Sequence, residues 1–300
     1  MPYPSTTSYF ALHGHNYAPP TINEQGTAHL GDTHVGGIYT QHTASNIHYG
    51  NLINHGTVNH FSSQVDETQR SKVADWLASG SYQGHQNDIY RNVLPGTGQW
   101  LLVHPAFERW KKEGKQNLAL VGGPGVGKTH LMAIVVNELL HRTDACADQL
   151  VLFFFNSFTR RQEQSLQNML EQLLRQAFEA GKNSTYVQQL FEKHHKRGQS
   201  SRPSQQELFD GLQKTLMCYS HVFVCIDALD ECSSDDKPAF SARKGFLRQL
   251  VALQQESASD ISILVTTRPN QENIPIVDDW PNIPIRAHRK DLEAYISGRW

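Results

Sequence analysis

The chain has 300 residues, 38% of them hydrophobic and 19% charged, with a formal net charge of −2. That length admits one large α/β domain or two ordinary ones and a sizeable core. The near-zero charge excludes a general nucleic-acid binder, because phosphate contacts need clustered Lys and Arg. No apolar run approaches the ~18–20 residues of a membrane-spanning helix. The N-terminus lacks a basic segment followed by an apolar core. Cys146, Cys218, Cys225 and Cys232 form no C-x-x-C pair. A reduced, cytoplasmic protein is expected. Cys218, Cys225 and Cys232 recur every seven residues, but a predicted strand lies between them, so the spacing defines no helix face.

Residues 1–63 contain no Lys or Arg, only Glu24 and Asp32 as acids, and half of the sixteen histidines. The remainder is formally neutral. A segment so rich in Gly, Asn, Thr and Ser has too little apolar surface to fold as a lone globular domain. Residues 1–65 are therefore a polar tail. Residues 66–115 form a helical lead-in, and residues 116–300 an α/β core. Within the lead-in, 66–79 read as an amphipathic helix with Val73, Trp76 and Leu77 on one face, broken by Gly80 and Gly84. A second helical stretch, 99–112, is interrupted before Pro105.

Strands and helices alternate from there. Asn117–Val121 is a strand, and a helix follows from Lys128. Residues 150–155 are a strand, 165–179 and 184–197 helices. Ser204 with Glu207 forms a capping-box pattern, opening a helix to about Met217. Residues 222–226 are a strand, 240–256 a helix and 261–266 a strand. Ile283–Ile285 begins a fifth strand and Asp291–Trp300 a last helix. Uniformly apolar strands between long helices imply a parallel sheet covered on both faces.

Residues 122–129 (G-G-P-G-V-G-K-T) satisfy G-x-x-x-x-G-K-S/T, the P-loop, between a predicted strand and a predicted helix. Gly122, Gly123, Pro124, Gly125, Val126 and Gly127 supply backbone N–H groups that wrap phosphate oxygens. Lys128 adds positive charge at the β- and γ-phosphates, and Thr129 a hydroxyl for Mg²⁺. The helix beginning there aims its positive end at the anion. Asp227 ends the apolar run His221–Ile226 and is the expected second Mg²⁺ group. Glu231 is a candidate to activate the attacking water; Asp230 is an alternative, and the acids could instead lock a closed state. Arg268, at the end of S-I-L-V-T-T-R-P, falls at the carboxyl edge of the sheet, near the γ-phosphate. The competing reading is an arginine paired with a nearby carboxylate.

G-T-G-Q-W-L at 96–101, F-E-R-W at 107–110, the P-loop, D-A-L-D-E-C at 227–232, T-T-R-P and the terminal D-L-E-A-Y-I together resemble the nephrocystin-like N-terminal, NACHT-type NTPase module of fungal NOD-like receptors. The resemblance covers residues 70–300. It implies a doubly wound P-loop sheet of order 5-1-4-3-2. It also implies a STAND-type switch, ADP-bound at rest and ATP-bound and self-associated when triggered, with slow or negligible turnover. In such receptors the output is innate immunity, heterokaryon incompatibility or programmed cell death. The segment before the first strand often holds adenine, which makes residues 95–101 candidates. The family often has Gly after the first strand-end acid; here it is Ala228. The winged-helix lid and repeat sensor typical of such receptors do not occur within these residues.

Residues 31–61 mix Gly-Asn turns with short β-prone pieces and loosely resemble amyloid-signalling segments that pass the signal to a downstream effector. A disordered tail and a metal-binding His tract are the competing readings. His194, His195, Lys196 and Arg197 read as a solvated basic helix end. Two other functions stay open. One is a constitutive P-loop ATPase or small-molecule kinase, though no Arg-rich lid follows 222–226. The other is a non-hydrolysing interaction protein with a structural ADP.

Overall fold

The computed structural model describes residues 63–297 apart from 145, 157–164, 183, 196–200, 233–238, 270–276 and 278. Before residue 63 it describes six short strands by their backbone. Those strands pair antiparallel in sequence neighbours: Thr21–Ile22 with Ala28–His29, Tyr39–Thr43 with Asn46–Gly50, and Leu52–Ile53 with Thr57–Val58. The tail's histidine side chains lie outside the described residues. Residues 1–62 and 63–300 are separate compact units.

The second unit is built on five parallel strands: β1 (Asn117–Gly122), β2 (Gln149–Phe155), β3 (His221–Asp227), β4 (Asp260–Thr267) and β5 (Asn282–Ile285). Their order in the sheet is β5-β1-β4-β3-β2. This is the expected doubly wound P-loop arrangement. The helices are α1 (Ser63–Leu77), α2 (Tyr82–Arg91), α3 (Gln99–Leu102), α4 (Pro105–Lys112), α5 (Lys128–Asp144), α6 (Leu166–Glu179), α7 (Thr185–His194), α8 (Gln205–Leu216), α9 (Ala239–Glu256) and α10 (Arg289–Ser297).

Both faces of the sheet are covered, which is why its strands are apolar throughout. Val222, Val224 and Ile226 of β3 pack with α6, α8 and α9. Phe223 and Cys225, alternating with them, pack on the opposite face with α4 and α5. The Trp110 indole donates to the Ile263 carbonyl of β4 at 3.0 Å, fixing α4 on that face. At the free edge of β2, the Gln176 side chain of α6 replaces a neighbouring strand. It donates to the Phe153 carbonyl (2.8 Å) and accepts from the Phe153 N–H (2.9 Å). None of the four cysteines is in a disulfide among the described residues. Burial pushes the Cys232 thiol up to about 12.

Two local expectations are corrected. Gly84 does not break a helix; it lies inside α2, where its N–H donates to the Ser81 hydroxyl cap at 2.8 Å. A capped start offsets the roughly 1 kcal/mol cost of a helical glycine. The two histidines at the α7 end are packed rather than solvated. The His194 side chain is only 12% exposed and bonds Ser201 Oγ (2.7 Å) and Glu207 Oε1 (3.2 Å). His195 stacks on Phe191 at 4.0 Å. Both imidazoles lie beside Trp76 of α1, so aromatic packing outweighs hydration there. Lys196 and Arg197 lie outside the described residues. The capping box forms as expected: Glu207 bonds the Ser204 N–H at 2.7 Å, and Lys193 with this contact holds its carboxyl down to about 2.

Candidate functional site

The P-loop joins β1 to α5 at the carboxyl edge of the sheet, where parallel α/β folds open their crevice. Gly122 is required by close approach: a Cβ there would meet the Ile285 carbonyl oxygen of β5 at 2.8 Å. Gly127 is required by its backbone, at φ +88°; a Cβ on it would meet nothing within 4 Å, which leaves the cradle open for an anion. Lys128 Nζ folds back onto the Gly122 and Gly123 carbonyls, each at 2.8 Å. Burial pulls its ammonium below the usual lysine range, opposed by the charge of Asp230.

Asp227 ends β3 with no solvent exposure. Thr129 Oγ1 donates to its Oδ2 at 2.7 Å and Thr266 Oγ1 to its Oδ1 at 2.6 Å. Burial nonetheless pushes this carboxyl up to about 6. Thr266 also accepts the Ala228 N–H at 2.7 Å, and so fixes both the acid and the turn after it. Sequence reasoning placed Thr266 at a strand end but gave it no role. Its signal was a hydroxyl at the carboxyl end of a mostly apolar run.

Ala228 stands at φ +47°, ψ 50°, the left-handed region. That explains why Gly is common at this position in the resembling family. Ala tolerates it at a cost of about 1–2 kcal/mol, and a β-branched residue does so far less well. Ala228→Gly should match or exceed the wild type in chemical denaturation, and Ala228→Val should lose about 2 kcal/mol. A valine variant as stable as the wild type contradicts this backbone account.

The turn carries Asp230 and Glu231 toward Arg268, at the end of β4. Arg268 bonds Glu231 Oε1, and its Nε lies 3.3 Å from Asp230 Oδ2. Arg243 bonds the Asp230 carbonyl. Lys128, Thr129, Glu231 and Arg268 share a cavity of about 540 Å³ with Asn156, His85 and Phe155. The structure therefore brings Lys128, Thr129, Glu231 and Arg268 to one crevice, with Asp227 buried behind Thr129. It also realises the competing reading of Arg268, as an arginine paired with carboxylates.

A second cavity of about 310 Å³ shares Gly125, Gly127 and His130 with the first. Its apolar wall comes from Val93, Leu94, Val126, Leu131 and Ile134. Trp100 stacks on His288 at 5.6 Å and 13°. Asp291 of α10 closes this end: its carboxylate accepts from the Gly98 N–H and the Trp100 indole, each at 3.1 Å. Of the 95–101 candidates, Thr97, Gly98 and Trp100 line this slot, which runs from the phosphate cradle. Asp291, in the terminal D-L-E-A-Y-I, has a structural job that its sequence context did not reveal. Among the described residues no cluster of three or more His, Cys, Asp or Glu could hold a metal ion.

The family model described as Nephrocystin 3, N-terminal, matches residues 96–268. The chain belongs to that family. The matched segment starts at the second cavity, before Gly98, and ends on Arg268. The nephrocystin 3 N-terminal segment of this chain therefore contains the phosphate cradle, Asp227, the acid turn and its arginine. α10, with Asp291, lies beyond it. No curated protein matches the sequence. Among solved structures, the Aeropyrum pernix ORC2 protein in its ADP form is similar at 14% identity, covering 71% of this chain and 55% of that one, with a TM-score of 0.46. The Aeropyrum pernix ORC1 protein in complex with DNA matches at 16% identity, 75% and 53% coverage, and 0.40. C. elegans PCH-2 matches at 18% identity, 67% and 47% coverage, and 0.32. The chain spans about half the length of these structures. Among the described residues, no helix is long and apolar enough to cross a membrane.

Proposed function

We propose that this chain is a nucleotide-operated switch of the NOD-like receptor type. It binds Mg-ADP or Mg-ATP, turns over slowly or not at all, and self-associates according to which nucleotide it holds. The observation that carries this reading is the engagement of Arg268 by Asp230 and Glu231 beside the P-loop. ADP and ATP differ by the γ-phosphate. A guanidinium at the sheet's carboxyl edge, held by acids until a stronger anion competes, can tell them apart. Glu231 is tied to that arginine rather than free to accept a proton, which favours a resting switch over a constitutive ATPase.

The residues fit the nucleotide and its metal. The cradle is open at Gly127, the apolar slot of about 310 Å³ has the volume for a purine, and Asp227 is a buried carboxylate beside the Thr129 hydroxyl. Gly122–Thr129 would hold the phosphates. Thr129 and Asp227 would hold Mg²⁺, whose remaining ligands would be phosphate oxygens and water. The ion would neutralise charge on the phosphates. We assign the tail the role of passing the signal to a downstream effector, in the cytoplasm.

Light scattering of the full chain tests the switch. Loaded with Mg-ADP it should have the mass of a monomer. Loaded with a non-hydrolysable ATP analogue it should have a multiple of that mass. The same mass in both states contradicts nucleotide-controlled assembly.

A further inference from the structure

Asn156 follows β2, where Phe155 pairs with Asp227 of β3. It is 4% exposed. Its backbone N–H (3.3 Å) and its Nδ2 (2.8 Å) both donate to the Asp227 carbonyl. The opposite amide orientation would set Oδ1 against that carbonyl oxygen, so the remaining free atom is an acceptor. Among the described residues, Oδ1 has no hydrogen-bond partner. Neither has either carboxylate oxygen of Asp230, whose contact with Arg268 lacks hydrogen-bond alignment. Both residues line the cavity that holds Lys128, Thr129 and the P-loop.

Asn156 and Asp230, which line this cavity, thus carry three buried acceptors without partners, at a cost of about 1–3 kcal/mol for each orphaned group. They repel phosphate oxygens, so what they await is a donor. The P-loop occupies the anion-binding side. A water molecule has two protons to give and a lone pair to spare.

From this we infer that Asn156 orients the water that attacks the γ-phosphate, with Asp230 rather than Glu231 taking its proton. The inference rests on the reading of the site as one for ATP. The Asn156 Oδ1 accepts a hydrogen bond from one water O–H, whose proton stays on that oxygen and leaves with the phosphate. The water oxygen bonds to the γ-phosphorus as the bond from that phosphorus to the β–γ bridging oxygen breaks, its electron pair staying on ADP. The second proton passes to the Asp230 carboxylate and then to solvent. The products are ADP and inorganic phosphate. Glu231 accepts a hydrogen bond from Arg268, whereas Asp230 lies only within ion-pair distance of it, so Glu231 keeps the arginine in place and leaves the proton to its neighbour.

The test uses the full chain and its Asn156→Ala and near-isosteric Asn156→Leu variants. Three quantities are measured: binding of Mg-ADP, binding of Mg-ADP with aluminium fluoride, and single-turnover hydrolysis. Aluminium fluoride mimics the phosphoryl group with its in-line water. The wild type should bind the fluoride complex more tightly than ADP alone. Either folded variant should keep ADP affinity within about twofold, and lose roughly tenfold in both the fluoride preference and the hydrolysis rate. Asp230→Asn should lower hydrolysis more than Glu231→Gln. A variant with unchanged hydrolysis and fluoride preference overturns the inference. So does a wild type that binds ADP but shows no fluoride preference. So does a variant that only raises the Mg²⁺ requirement, because the acceptors would then serve a cation. A wild type that binds no nucleotide at all instead removes the reading of the site itself.

Discussion

Lys128→Ala should abolish nucleotide retention. The ammonium is satisfied by two P-loop carbonyls at 2.8 Å, both of which it must leave to reach a phosphate. Arg268 is committed to Asp230 and Glu231, so it does not replace the lost charge. Losing two charge-assisted bonds to phosphate costs about 3–5 kcal/mol, on the order of a thousandfold in affinity. Calorimetric titration with Mg-ADP reads this directly, and denaturation shows that the fold survives. Unchanged tight binding would remove the P-loop from the account.

Asp227→Asn should stabilise the free protein while destroying its Mg²⁺-dependent binding. Burial penalises the charge of the folded carboxyl and pushes it up to about 6 from an ordinary 3.8. Between those two values the folded state holds the proton that the unfolded chain has released. Stability therefore falls as pH rises through that window, by about 3 kcal/mol in all, and the full penalty is present above pH 6. Asparagine carries no charge to bury. The variant should melt several degrees higher at pH 7.5 and nearly level with wild type at pH 4. Magnesium-nucleotide binding by the wild type should also weaken as pH falls through 6, since the metal needs the carboxylate. A variant that melts lower than wild type at pH 7.5 contradicts the assignment. A buried, half-compensated acid kept against its own stability cost is the pattern expected of a functional position.

The parts of the molecule written in local pattern were legible. Five apolar runs became five strands in the expected order. Gly122–Thr129 and Asp227 declared themselves through residue type and context. The parts that depend on distant partners did not. Asn156 and Thr266 matter because parallel pairing sets β2 and β4 on either side of β3, and nothing beside them in sequence says so. Asp291 reaches Gly98 and Trp100 across more than 190 positions. His194 and His195 looked solvated because their aromatic neighbour, Trp76, belongs to another helix. The α2 helix was hidden by a glycine whose cost is met by a cap. At Ala228 the departure from glycine was visible, but the left-handed backbone that gives it meaning was not.

The central claim is that this crevice is a resting nucleotide switch. Its most direct test is the nucleotide that co-purifies with the full chain, measured together with the steady-state ATP turnover. Retained ADP with turnover near zero is the predicted result. An empty site with rapid steady turnover would contradict it and make the protein a working ATPase.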